Sequence, residues 1–335
     1  MTSFVAFCLI AAMLSVYTLL DGYDLGAAAS TPLVAKTRAE RSAIVESIGP
    51  FWSGNEVWLV AAGGTLFALF PQVYAVSFSG FYLPFIVVLW LLMFRGMAIE
   101  LRSHLPGEMW MDFWDVAFSV SSLLLILLLG VALGNLVRGL PLDANGYFLG
   151  TFSMLLNPYA TMVGVLAVLA LVQHGLAYVA HNVEGRLGER ALRSIGRVWW
   201  LVLLAYVAVT ATTIADHRGD LASAPLAIAA SVAALASLVT VRVSVQRRRP
   251  ASAFWSSVVF VAGILVAAAA TMYPYLIRPY PGAVGGLTIF QAPPPSITAL
   301  SLVIASAGLV AVVAYSLFVR RLMSAKVTVR DDGAG

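Results

Sequence analysis

Nine apolar runs, each near the length of about 20 residues that a bilayer core demands, follow one another from one end of this chain to the other. Their cores lie at 4–20, 51–70, 73–94, 113–137, 151–180, 195–215, 221–241, 254–272 and 296–319. The expected fold is all-α: a polytopic integral membrane protein with about nine transmembrane helices, forming a single membrane domain over 1–335. Composition supports this reading, because only 11% of the residues are charged and 61% are hydrophobic, whereas an average soluble domain carries about a quarter charged residues. The first run has no basic stretch before it and no small-residue cleavage site after it, so it reads as a retained helix and not as a signal peptide. No connection is long enough for a soluble domain. The longest, Tyr273 to Pro295, is rich in proline and predicts an ordered or extended loop. Residues 322–335 read as a short polar tail, disordered after Arg330.

The formal net charge of +4 does not indicate nucleic acid, because the basic residues lie between apolar runs and form no single face. They report topology. If the nine runs all span, 17 of the 20 Lys and Arg residues fall on one side, and only Arg138, Arg218 and Arg278 fall on the other. The positive-inside rule then places the N-terminus outside and the C-terminus in the cytoplasm.

Redox and metal chemistry find little to work with. Cys8 is the single cysteine and sits in the first apolar run, so no disulfide, iron–sulfur cluster or thioether haem attachment can be built from it. Of the histidines only His174 lies well within a run. It can titrate on a polar route or simply bond a neighbouring helix. No catalytic residue and no metal site is expected on this chain.

The polar residues near the runs are the candidates for function, since an ionisable group inside a membrane costs about 2.5–3.5 kcal/mol on insertion scales. On the assigned topology they crowd the cytoplasmic side. Asp21 and Asp24 close the first run, with the spacing that puts both carboxylates on one helix face. Glu46, Ser53, Asn55 and Glu56 lead into the second, with Trp52 and Trp58 flanking as interface anchors. Arg95 and Glu100 leave the third, Asp112 and Asp115 enter the fourth, and Gln173 precedes His174 in the fifth. For Glu46, Asp112 and Asp115 the simple expectation is hydrated carboxylates, with the two aspartates near a helix N-terminus. Asp21 and Asp24 are expected at a helix C-terminal end, where the dipole disfavours them, so they need a partner. Arg95 can supply it, and Asp24 and Glu100 are its expected partners. The resulting clamp either docks helices or begins a route for protons.

Asp21-Gly22-Tyr23-Asp24-Leu25-Gly26, then Ser47 through Leu59 with its Gly-Pro-Phe-Trp-Ser-Gly-Asn-Glu-Val-Trp core, Phe78 to Tyr82, Phe94-Arg95, Gly130 to Asn135 with Gly139-Leu140-Pro141, and Leu156 to Tyr159 form an ordered set of motifs. Together they resemble subunit II of cytochrome bd-type quinol oxidases. The likeness is close over 1–164, the first helices, and thins over 165–321. It implies a subunit of a bacterial terminal oxidase in the cytoplasmic membrane. Its partner, subunit I, would carry haem b and haem d and the quinol, and a small accessory subunit can join the heterodimer. This chain would bind no cofactor alone, and would support oxygen reduction by contributing polar residues to proton uptake. The family commonly has an acid where this chain has Ser53, so either Ser53 relays through water or Glu56 supplies the carboxylate. The alternatives are a secondary transporter, which would show paired helix interruptions in two halves, and a purely structural assembly subunit.

Overall fold

The computed structural model describes residues 2–143, 146–216, 225–280, 285–291, 295–322 and 326–329. Its helices are α1 (Thr2–Val34), α2 (Arg38–Ile48), α3 (Trp52–Leu69), α4 (Pro71–Gly80), α5 (Tyr82–Leu101), α6 (Glu108–Arg138), α7 (Phe152–Leu155), α8 (Pro158–Asn182), α9 (Gly185–Asp216), α10 (Pro225–Gln246), α11 (Pro250–Met272) and α12 (Pro295–Leu322). Eight of them are long and apolar enough to cross a membrane: α1, α5, α6, α8, α9, α10, α11 and α12. The second expected span, α3, has 18 residues and a polar first turn, which keeps it below that measure. Arg218, His217, the first residues of the seventh run (221–224) and the tail from Arg330 onward lie outside the described residues.

Two boundaries differ from expectation for physical reasons. The first helix does not stop at Leu20 but continues through Asp21 and Asp24 to Val34. Both aspartates are therefore mid-helix, and the dipole argument against them lapses. The third run is not one helix: it breaks between Gly80 and Tyr82. Pro84 stands four residues after Gly80 and has no N–H for that carbonyl, so a new helix begins there and the span shifts to α5.

Local chemistry sets several other ends. α2 opens with a capping box, Thr37 accepting from the Glu40 amide while the Glu40 carboxylate accepts from the Thr37 amide. Asn157 caps α8, with Pro158 in its first turn.

α8 is the central helix, and residues 170–180 are buried on every side. It meets α1 backbone to backbone: a Cβ on Gly26 would lie 1.8 Å from the Leu171 carbonyl oxygen, and one on Gly175 would lie 2.1 Å from the Ala27 nitrogen. Small residues allow this approach in a membrane, where packing and not the hydrophobic effect joins helices. The Tyr178 hydroxyl donates to the Ser47 carbonyl at 2.6 Å and fastens α2 across one end of the bundle.

The opposite end is closed by loops. Tyr275–Ile277 and Leu287–Thr288 form a two-stranded antiparallel hairpin, so the proline-rich connection is ordered where it is described. Leu140 bridges to Pro279. The turn before it needs glycine, since Gly139 has φ +103° and a Cβ there would meet the Pro279 carbonyl oxygen at 2.3 Å. Phe7, Leu69, Phe70, Phe81, Leu140, Ile277 and Leu287 form a second apolar core under this cap. At the α2 end, part of the expected tail is ordered, with Val327 exchanging backbone bonds with Asn182 and Glu184.

Candidate functional site

Three helices bring polar side chains to one point inside the bundle. Arg95 on α5 forks onto Asp21 of α1, Nη1 donating to Oδ2 at 2.9 Å and Nη2 to Oδ1 at 2.5 Å. Nη1 also donates to Glu56 Oε1 on α3 at 3.1 Å, and Nη2 lies 3.8 Å from Asp24 Oδ2. Asn55 completes the set, its Nδ2 lying 2.7 Å from Asp24 Oδ2, 3.1 Å from the Tyr23 hydroxyl and 3.3 Å from the Leu20 carbonyl. Arg95, Asp21 and Asp24 are wholly enclosed, whereas the Glu56 side chain is 25% exposed. A buried ion pair offsets its desolvation only with good geometry and further hydrogen bonds, and the bidentate fork provides both. Three carboxyls nevertheless face one guanidinium, so the cluster holds more acid than base.

The α3 pattern explains why Asn55 joins. Asn55, Trp58, Ala62, Thr65 and Leu69 form its buried seam at spacings of three and four. Trp58 is therefore not an interface anchor: it packs with Met13, Tyr17 and Ala62 in the interior. Trp52 is half-buried against α5, where a Cβ on Gly96 would come within 3.3 Å of its ring. Ser53 lies off the seam and is exposed. Glu100 is exposed too and does not pair with Arg95. Five residues further along a helix is about 140° around it, which points the two side chains apart. Among the expected cluster residues, Asp21, Asp24, Asn55, Glu56 and Arg95 come together, and Ser53 and Glu100 do not. A cavity of about 10 Å³, lined by Gly54, Asn55, Tyr315 and Ser316, lies beside the cluster. That is room for one water, and the buried Ser316 hydroxyl has no hydrogen-bond partner among the described residues.

His174 is fully buried and bonded through both ring nitrogens, to the Ser257 hydroxyl at 2.7 Å and to the Leu19 carbonyl at 3.1 Å. The carbonyl can only accept, so Nε2 carries the proton, and Nδ1 faces the Ser257 hydroxyl, whose single hydrogen is divided between Nδ1 and the Phe254 carbonyl at 2.7 Å. With both nitrogens engaged, His174 has no lone pair for axial ligation of a haem iron. His104 is exposed, with Nδ1 bonded to the Glu100 carbonyl at 2.8 Å. Among the described residues no group of three or more His, Cys, Asp or Glu is placed to hold a metal ion.

A second charged cluster, at the α2 end, escaped the reading of the sequence. Asp115 is not hydrated: it is 7% exposed and accepts from Arg102 Nε at 2.6 Å and from Arg41 Nη1 at 3.3 Å. Asp112 is exposed and pairs with Arg38 and Arg41, each at 3.2 Å. Glu40 accepts from the Lys36 amide at 2.6 Å and pairs with Arg190 of α9. The available signal was Asp112 and Asp115, which share a helix face, set against the basic first turn of α2. Glu46 is exposed as expected.

A multi-pass helical membrane subunit, with an acid-rich ion cluster sealed among its first helices and its buried histidine spoken for, is the class that fold and site define. Residues 2–323 match the family described as cytochrome bd terminal oxidase subunit II, and the chain belongs to that family. It is 31% identical over 310 residues to a probable cytochrome oxidase subunit 2 of Haemophilus influenzae, covering 82% of this chain and 81% of that protein. It is 34% identical over 241 residues to the cytochrome bd ubiquinol oxidase subunit 2 of Bacillus subtilis, covering 70% and 71%. The solved structure of the bd oxidase from Geobacillus thermodenitrificans has a chain of the same fold, with a TM-score of 0.78 at 20% identity over 96% of this chain and 98% of that one. Family membership sets the transporter alternative aside.

Proposed function

We propose that this chain serves a quinol-oxidising complex as the subunit that leaves haem b, haem d and the quinol to a partner subunit I, and that it passes protons from the cytoplasmic surface through its Arg95 cluster. The names of its relatives support a quinol as reductant. The engagement of both His174 nitrogens supports placing the haems on the partner. The basic residues around α2, the start of α9 and the α10–α11 turn support a cytoplasmic α2 end, with the N-terminus outside and the C-terminus inside.

One observation carries the proton role: three carboxyls share one guanidinium, and they run from the partly exposed Glu56 to the sealed Asp21 and Asp24. Reduction of oxygen to water takes up one proton for each electron delivered. A buried cluster with surplus carboxyls titrates as a unit and can accept a proton at one member while releasing one at another. Glu56 is the member within reach of water, and the one-water cavity adjoins Asn55. Ser53 stands outside the network, so Glu56 takes the place of the acid that the family commonly carries.

The test is Glu56→Gln in the assembled complex. Oxygen consumption with an excess of quinol should slow, with haem spectrum and subunit content unchanged, because an amide keeps the hydrogen bond to Arg95 but carries no transferable proton. Parental turnover in that variant would remove Glu56 from the path and leave a docking clamp.

A further inference from the structure

α10 and α11 form an antiparallel hairpin whose outer face bears a groove of about 480 Å³, lined by Ala233, Ala236, Thr240, Ser252, Ser256 and Val259 and walled by Trp255. Ala233, Ala236 and Thr240 recur at helical spacing along α10, and Ser252, Ser256 and Val259 do so along α11. The Ser244 and Ser252 hydroxyls, 2.8 Å apart, close the groove at its α2 end. Over them lies the connecting turn, Arg247-Arg248-Arg249. Its backbone is fixed, with the amides of the three arginines donating to Val243, Val245 and Ser244, and with Arg248 in the left-handed region at φ +50°.

The three side chains above it are exposed, and none makes an ion pair or hydrogen bond among the described residues. Their neighbour Arg242 is already engaged, donating to the Gly196 carbonyl at 3.0 Å and lying over Trp199 and Trp200. From Pro225 to Met272 the hairpin has no acidic residue. Nothing within it neutralises the turn.

The geometry points to a binding site for an anionic phospholipid: its phosphate on Arg247, Arg248 and Arg249, and an acyl chain in the groove beneath. Length fits, since Ala233 to Thr240 covers about 10 Å of helix, below a headgroup held at the turn. Chemistry fits as well. Guanidinium forks bind phosphate oxygens in pairs, and basic pockets between helices at the cytoplasmic face are suited to acidic headgroups. Trp255, 59% exposed at the wall of the groove, stands in the second turn of α11 after the arginine turn, near the end of the helix where interfacial tryptophan is favoured. The positive-inside rule accounts for arginines in this turn but not for a groove opening under them. The site is independent of the proton role of the Arg95 cluster.

Brominated lipids quench tryptophan on contact and read the groove directly. The whole oxidase complex, checked by its haem spectrum, is placed in phosphatidylcholine vesicles carrying either brominated phosphatidylglycerol or brominated phosphatidylcholine. The Trp255 signal is the difference between the parent complex and Trp255→Phe. Phosphatidylglycerol should quench it at a mole fraction lower than phosphatidylcholine by about tenfold or more, since each of the three arginines adds to the preference for an anionic lipid. Replacing Arg247, Arg248 and Arg249 by Gln should bring the two curves together. Ser256→Phe, which fills the groove and leaves the charges, should weaken quenching by both lipids. Equal curves in the parent complex overturn the proposal, as does a preference that survives the triple replacement or quenching indifferent to Ser256→Phe. A disulfide-linked pair of this chain through Ala236→Cys would assign the groove to a second copy instead.

Discussion

The protein handles charge in two ways, and the contrast between them separates architecture from function. At the α2 end, Arg38, Arg41, Arg102 and Arg190 meet Glu40, Asp112 and Asp115 in a belt where each acid has a basic partner and most members touch solvent. Inside the bundle, three carboxyls crowd one arginine that is wholly enclosed. The belt is nearly balanced and joins helices. The inner cluster is unbalanced, and imbalance is what a docking clamp does not need. A structure built only for assembly would match Arg95 with Asp21 and place apolar groups at the other positions.

If that contrast is correct, the largest effect belongs to the inner cluster. Arg95→Ala strands buried carboxylates without their counter-charge, a loss of about 3–5 kcal/mol for a broken buried pair. It should nearly abolish assembled complex in membranes, measured by subunit and haem content. Arg95→Lys should rescue assembly only in part, because an ammonium cannot make the fork. Normal assembly with Arg95→Ala would mean that the carboxyls are held neutral and that the clamp is dispensable.

The next effect is in the belt and belongs to its most buried acid. Asp115→Asn removes the charge that Arg102 and Arg41 share, with an expected cost of about 1.5–3 kcal/mol for charged hydrogen bonds. The complex should assemble and turn over normally per haem, with a lower thermal midpoint. A fall in turnover at unchanged stability would place Asp115 in the proton route and dissolve the distinction between the two regions.

How much of this was legible depended on whether the signal was local. Helix class and the approximate number of spans followed from the length of the apolar runs, and the polar members of the inner cluster stood out because they interrupt such runs. The continuation of α1 past Asp21 was not visible, since what stabilises two aspartates in mid-helix is Arg95, 74 residues away. Trp58 looked like an anchor by residue type, and only the seam from Asn55 to Leu69 shows that it faces inward. The break at Phe81 could have been found, because Pro84 was in plain sight within an otherwise unbroken apolar run. Asp115 was misjudged for the opposite reason: as an acid near a helix start it has a sufficient local explanation, and its burial depends on Arg102 and on α2, which brings Arg41 to it from 74 residues away.

The smallest effect tests whether the belt acts through charge at all. Burial alone would raise the Glu40 carboxyl, but Arg190 and the Lys36 amide more than reverse this and hold it below the ordinary carboxylate range. A group depressed in the folded state contributes stability that is fully present above its unfolded value, about 4.3 for glutamate. That contribution is lost as pH falls through the folded value, because the unfolded chain then binds the extra proton. Glu40→Gln keeps an oxygen for the capping box and removes the charge, so it should cost about 1 kcal/mol at neutral pH. Thermal midpoints of the parent and variant complexes, followed from pH 7 downward, should converge as the pH passes below about 4. A gap that stays constant over the whole range would assign the role of Glu40 to the cap, and would leave the belt's acids as shape and not as charge at that position.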